Sequence, residues 1–268
     1  MPFVELKESE HASGIRPVRI HYREWEPASD SGRTVVFLHG GWGYGVYPID
    51  QQVTAFGRQV RFVAPERSGY GGSVNAEGPM PTGFHSLAAI ETLVVLDALG
   101  IEKPILWGHS DGAVIAAMIG LMAPERCERL VLEAFHFYRA KPRSRKFFER
   151  FHALPEDLGE ETQRLLAADH GEPRWKHVVS RNTGAWLRIA NESTRPDEDL
   201  YGGRLGELRV PTVFLHGESD PRTEPDEMER VKRAAPQAEV QFVKGGAHSP
   251  HSEDGASEEF NRMLEALI

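Results

Sequence analysis

The stretch "LWGHSDGAVIAAMIG", residues 106–120, sets Gly108, Ser110 and Gly112 at alternate positions where two apolar runs meet. The run before it, "KPILWGH" (103–109), reads as a buried strand. The run after it, "DGAVIAAMIGLMA" (111–123), reads as a buried helix. A G-x-S-x-G sequence between a strand and a helix forces its serine into a sharp turn that lifts the hydroxyl above the sheet edge. The positions two before and two after then crowd against neighbouring backbone, so only glycine fits. The helix N-terminus behind the serine favours a negative charge developing there. A chance glycine-rich turn is the alternative, and the rest of the chain has to decide.

Working outward, "RTVVFLHGG" (33–41), "VRFVAPE" (60–66) and "CERLVLEA" (127–134) are further apolar, β-branched runs typical of strands buried on both faces. Helical spacing is expected over 50–58 and over "FHSLAAIETLVVLDALG" (84–100), where Gly100 is a natural stop. Two alternating strands, "FVELKE" (3–8) and "VRIHYREWE" (18–26), come first. From 34 to 134 strands and helices alternate, which predicts an α/β fold with a mostly parallel central sheet flanked by helices on both faces. The alternation stops over 135–204, where "RKFFERFHAL", "EETQRLLAADH" and "PRWKHVVSRNTGAWLRIANE" are helical, and resumes with "VPTVFLHGESD" (210–220), "EPDEMERVKRAA" (224–235), "AEVQFVKGG" (238–246) and "SEEFNRMLEALI" (257–268). The predicted organisation is a core of 1–134 plus 205–268 with a helical insertion at 135–204.

Composition narrows the function. The chain has 268 residues, 40% hydrophobic and 26% charged, as expected of a globular protein, and a formal net charge of −9. Such a chain gains nothing from counterion release on a polyanion, so no nucleic-acid partner is expected. The one cysteine, Cys127, cannot form an intrachain disulfide, which fits a reducing, cytoplasmic setting. The opening "MPFVELKESEHASG" lacks the apolar core of a signal peptide, and "VIAAMIGLMA" (114–123) is too short to span a bilayer, so no membrane role is expected.

A serine hydroxyl needs a base, and the base needs an orienting acid. "LHGESDPRT" (215–223) places Asp220 just past one predicted strand, and "VKGGAHSPHSE" (243–253) places His248 just past the next. Asp220 could instead cap a turn, and His248 could be a surface histidine. The chain order Ser110, Asp220, His248, each at a strand end of one parallel sheet, favours a triad over two coincidences.

With these residues in place the chain resembles the α/β-hydrolase superfamily of the serine type. The resemblance rests on "LHGGWG" (38–43), "APERSGYGGS" (64–73), "GHSDG" (108–112), "LHGESD" (215–220) and "GGAHSPH" (245–251). It implies that the insertion is the superfamily's cap, that Ser110, Asp220 and His248 are catalytic, and that no cofactor is needed. It also implies an oxyanion hole made by the backbone N–H groups of Asp111 and Gly41, with Trp42 as the alternative to Gly41. The loop "HGGWG" is neither the HGGG of many lipases nor the HGGPG of proline aminopeptidases. Dehalogenases and epoxide hydrolases of the superfamily need an aspartate where this chain has Ser110. The implied activity is hydrolysis of a small-molecule ester, thioester, lactone or amide through an acyl-enzyme. A C–C bond hydrolase, an acyltransferase, or a receptor-like member with little turnover would keep the same residues. The oligomeric state is not readable.

Other residues carry competing readings. Glu133, ending the sixth strand, is the alternative acid. His251 has no carboxylate–histidine cluster around it in the sequence, so no metal site is expected. His39 and His216 are read as loop pins, and His109 as packing beneath the turn. Of Asp111, the backbone N–H rather than the carboxylate is expected to matter. The aromatic residues Phe147, Phe148, Phe151, Trp175 and Trp186 are assigned mostly to the insertion's own core. The basic run "RAKPRSRK" (139–146) is read as a solvated face, or more weakly as a lure for an anionic substrate.

Overall fold

The computed structural model describes residues 2–6, 18–28, 32–73 and 76–268. The end of the first predicted strand and the polar stretch that follows, 7–17, lie outside the described residues. Strands β1 (Phe3–Leu6), β2 (Val18–Trp25), β3 (Thr34–Leu38), β4 (Arg61–Pro65), β5 (Ile105–His109), β6 (Arg129–Glu133), β7 (Thr212–Gly217) and β8 (Glu239–Val243) form one eight-stranded sheet in the order β1-β2-β4-β3-β5-β6-β7-β8. The β1–β2 and β2–β4 pairs are antiparallel and the rest are parallel. The two-residue period of each strand divides the core. Val36, Leu106 and Leu132 face helices α2 (Phe84–Ala98) and α3 (Asp111–Met122). Val35, Trp107 and Val131 face α1 (Asp50–Phe56) and α8 (Ser257–Glu265) on the other side. Helix α7 (Glu227–Ala234) starts later than its sequence pattern suggests. Glu227 is fully buried at its first turn and accepts hydrogen bonds from the backbone N–H of Phe137, 2.8 Å away, and from Nζ of Lys141.

Between β6 and β7 run α4 (Arg145–Ala153), α5 (Glu160–His170) and α6 (Arg174–Glu192). The neck of this excursion is closed by paired backbone, Arg139 N–H to Glu198 O at 2.9 Å and Leu200 N–H to Phe137 O at 2.9 Å. The excursion docks through apolar contacts. Trp42 packs with Phe151, Leu166, Trp175 and Val179, while Tyr70 and Phe84 pack with Val178 and Ile189. Among the described residues no helix is long and apolar enough to cross a membrane.

Candidate active site

In an open α/β sheet the crevice forms at the carboxyl ends of the strands, where chain order reverses. Here that point lies at β3 and β5, and the expected turn follows β5. Ser110 has φ 55° and ψ −118°, a conformation non-glycine residues rarely hold. Its neighbours explain why it persists. A Cβ on Gly112 would stand 1.8 Å from the carbonyl oxygen of Leu38, and one on Gly108 would stand 2.2 Å from that of Gly112. Both glycines are therefore required by backbone contact. The turn is also tied to β6 by Ser110 N–H to Glu133 O at 2.9 Å.

The structure brings Ser110, His248 and Asp220 together. Nε2 of His248 lies 3.1 Å from Ser110 Oγ, and its Nδ1 lies 3.0 Å from both oxygens of Asp220. A carboxylate can only accept, so Nδ1 carries the proton and Nε2 offers its lone pair to the serine. Burial works to raise the pKa of Asp220. The charge and hydrogen bond of His248, with His216 and the Arg222 backbone N–H, outweigh it and hold the carboxyl below its ordinary range. His216 Nε2 meets Thr223 Oγ1 at 2.6 Å, and His39 Nδ1 donates to Gly40 O at 2.7 Å, as expected of loop pins. The guanidinium of Arg67 also donates to Gly40 O at 2.8 Å and steadies the "HGGWG" loop, a part the sequence did not disclose. Gly41, Trp42 and Asp111 line the pocket with Ser110, and their backbone N–H groups have no acceptor among the described residues.

Three expectations change. Glu133 does not reach His248. Its Oε1 lies 2.7 Å from His251 Nδ1, and its Oε2 accepts from Trp107 Nε1 at 3.0 Å, all in fully buried surroundings. The register of β5 against β6 turns it toward that side. Second, His251 does have a cluster. His109, Glu133 and His251 bring ligand-type atoms within 4.8 Å of one another. Each oxygen of Glu133 already takes a proton donor, and His109 Nε2 meets His248 O at 3.0 Å, so the group is wired as a brace beneath the His248 loop. Third, the Asp111 carboxylate is a hub. Oδ2 accepts from Asn182 Nδ2 at 2.7 Å, and Oδ1 from Trp186 Nε1 at 3.0 Å and His85 Nε2 at 3.2 Å. Burial alone would raise its pKa, but the His85 and Asn182 contacts hold it low.

The cavity over Ser110 is about 230 Å³ and is walled by Phe147, Phe148, Phe151, Leu158 and Trp186 from the segment between β6 and β7. Trp175 is not in the lining. His136 is, although nothing in its sequence setting pointed to it. Its Nε2 lies 3.3 Å from Ser110 Oγ and its ring stacks on His248 with centroids 5.7 Å apart. Burial, with Lys141 and other histidines nearby, drives its pKa well below the ordinary value. A wider cleft of about 430 Å³ shares Phe148 with this cavity but holds none of the expected site residues.

A family model described as "Alpha/beta hydrolase family" matches residues 35–262. The chain belongs to the α/β-hydrolase family. The coarse activity follows: it is an enzyme of the α/β-hydrolase type, as the motifs implied. Among its relatives, the human serine hydrolase BPHL is 22% identical over 256 residues, covering 95% of this chain and 84% of that one. The proline iminopeptidase of Neisseria gonorrhoeae is 27% identical over 312 residues, covering 98% and 99% of the two chains. A thermophilic esterase from Thermogutta terrifontis superimposes with a TM-score of 0.71 over 100% of this chain and 98% of that one, at 18% identity. That likeness is one of fold.

Proposed function

We propose that this α/β hydrolase cleaves a small ester, thioester, lactone or amide through an acyl-enzyme. The observation that carries the reading is the unbroken hydrogen-bonded line from Ser110 Oγ through His248 to Asp220. His248 Nε2 takes the serine proton as Oγ attacks the carbonyl carbon. The oxyanion is received by the N–H groups of Asp111 and Gly41, Trp42 being the alternative to Gly41, and each such donor is worth roughly 10²–10³ in rate. Asp220 fixes the tautomer of His248 and stabilises the imidazolium. The imidazolium then protonates the leaving group, the acyl-enzyme forms, and a water deprotonated by His248 releases the acid. This chemistry needs no metal or cofactor. Helices α4 to α6 act as the cap, and a cavity of about 230 Å³ suits a small molecule, being below the usual range for drug-sized ligands. The buried, single Cys127 fits a reducing, cytoplasmic setting.

A fluorophosphonate probe should label the wild type and leave Ser110→Ala unlabelled. p-Nitrophenyl acetate should turn over with the wild type alone. Folded wild-type protein that neither labels nor turns over would remove the serine-hydrolase reading.

A further inference from the structure

The cavity over Ser110 contains a cation with no anion to match it. Arg222 lies two residues past Asp220, to which its backbone N–H donates at 2.8 Å. Its side chain lines the cavity beside Tyr47, His248 and Phe147. The guanidinium carbon stands 3.2 Å from the centroid of the Phe147 ring. None of its side-chain N–H donors has an acceptor among the described residues, and no carboxylate there is within ion-pair distance. The two nearby carboxylates are engaged, Asp220 by His248 and Asp111 by Asn182, Trp186 and His85. Stacking on an aromatic face uses the charge of a guanidinium but none of its hydrogen-bond donors.

The basic run at 139–146, by contrast, contributes no side chain to this cavity, and three of its five cations are paired. Arg139 faces Glu192 and Glu198, Lys141 faces Glu227, and Arg145 faces Glu149. The attraction for an anion therefore belongs to Arg222 rather than to that run.

Resting on the serine-hydrolase reading above, we propose that the substrate carries a carboxylate, held by the Arg222 guanidinium while the scissile carbonyl sits at Ser110. A planar fork of donors fits a carboxylate with two parallel hydrogen bonds, and one cation matches one negative charge. The class is a small ester or lactone with a free carboxylate a few bonds from the reacting carbon. The rival is a strut, in which Arg222 merely ties the Asp220 loop to α4 through Phe147.

The test pairs anionic esters with neutral ones of like size. Monomethyl succinate, glutarate and adipate are set against the methyl esters of the corresponding alkanoic acids, and 4-acetoxybenzoate against 4-tolyl acetate. In the wild type, kcat/KM for at least one anionic ester should exceed that of its neutral partner by on the order of 10- to 100-fold. Arg222→Gln should abolish that ratio, and Arg222→Lys should keep part of it. Wild type that labels with fluorophosphonate yet prefers every neutral partner overturns the proposal and leaves the hydrolase reading standing. So does Arg222→Gln lowering both members of each pair equally together with the melting temperature, the mark of a strut. Binding decides even if turnover fails. Glutarate should raise the melting temperature of Ser110→Ala and not that of Ser110→Ala/Arg222→Gln, and no rise in the first would overturn the proposal.

Discussion

Nε2 of His136 lies 3.3 Å from Oγ of Ser110, so two imidazoles reach one hydroxyl. The serine has one proton to give, and His248 Nε2 is the acceptor. His136 must then be the donor, with its proton on Nε2 and a bare lone pair on Nδ1. Nδ1 is indeed buried without a partner. On the proposed mechanism, a neutral donor aimed at Oγ stabilises the alkoxide as it forms. His136→Phe should lower kcat on the order of tenfold or more, with KM little changed and a parallel fall in the fluorophosphonate labelling rate. An unchanged labelling rate would reduce His136 to packing against Trp186.

The turn at Ser110 stores strain that the proposed nucleophile role requires. A non-glycine residue at φ 55° and ψ −118° costs on the order of 1–3 kcal/mol, and replacing it by glycine returns part of that despite the greater flexibility of the unfolded chain. Ser110→Gly and Ser110→Ala should both be inactive. Ser110→Gly should be more stable than Ser110→Ala by about 1 kcal/mol in denaturant unfolding. Equal stabilities would mean that the serine sits there without strain.

On the proposed mechanism the two acids near the site have different duties. Asp220→Asn should cost roughly 10⁴ in kcat, because the amide no longer holds His248 in the tautomer that accepts from Ser110. Its melting temperature should stay close to wild type. Glu133→Gln strikes a fully buried carboxylate paired with His251, and should cost stability on the order of 3 kcal/mol with a far smaller loss of rate. The reverse pattern, with Glu133→Gln the more damaging to rate, would return the acid role to Glu133.

How far the sequence could be read follows from where each contact comes from. That Ser110, Asp220 and His248 would meet was legible because each lies just past an apolar strand, and parallel strands deliver their carboxyl ends to one edge. Gly108 and Gly112 were legible for a local reason, since backbone crowding at the turn admits no side chain. The Asp111 carboxylate was not. Its partners Asn182 and Trp186 are 71 and 75 residues away on α6, and nothing in α6 announces which turn will land on the sheet edge. The same holds for Glu133 and His251, 118 residues apart, whose meeting depends on the β5–β6 register and the course of the His248 loop. His136 was hidden by its setting. It lies three residues past β6, inside an apolar run at the neck of the insertion, where it reads as ordinary chain.

Acid should weaken the fold before it removes the carboxylates. Burial, only partly offset by Glu133, drives the pKa of His109 from 6.5 down to about 3, and His136 and His39 are displaced in the same direction. In the unfolded chain these groups titrate near their ordinary value. Between about 6.5 and about 3 the unfolded state therefore binds more protons than the folded one, and stability rises with pH across that window. Asp111 and Glu133, whose pKa values are held below their ordinary 3.8 and 4.5, act with the same sign from those values downward and extend the loss. From pH 7.5 to 5, His109 alone accounts for about 2 kcal/mol of lost stability on these values. The urea midpoint should accordingly fall between those pH values. His109→Gln, which keeps a donor for the His248 carbonyl but cannot titrate, should flatten that dependence while lowering stability at pH 7.5. A wild-type midpoint that does not move between pH 7.5 and 5 would show that these histidines take up protons without opening the fold.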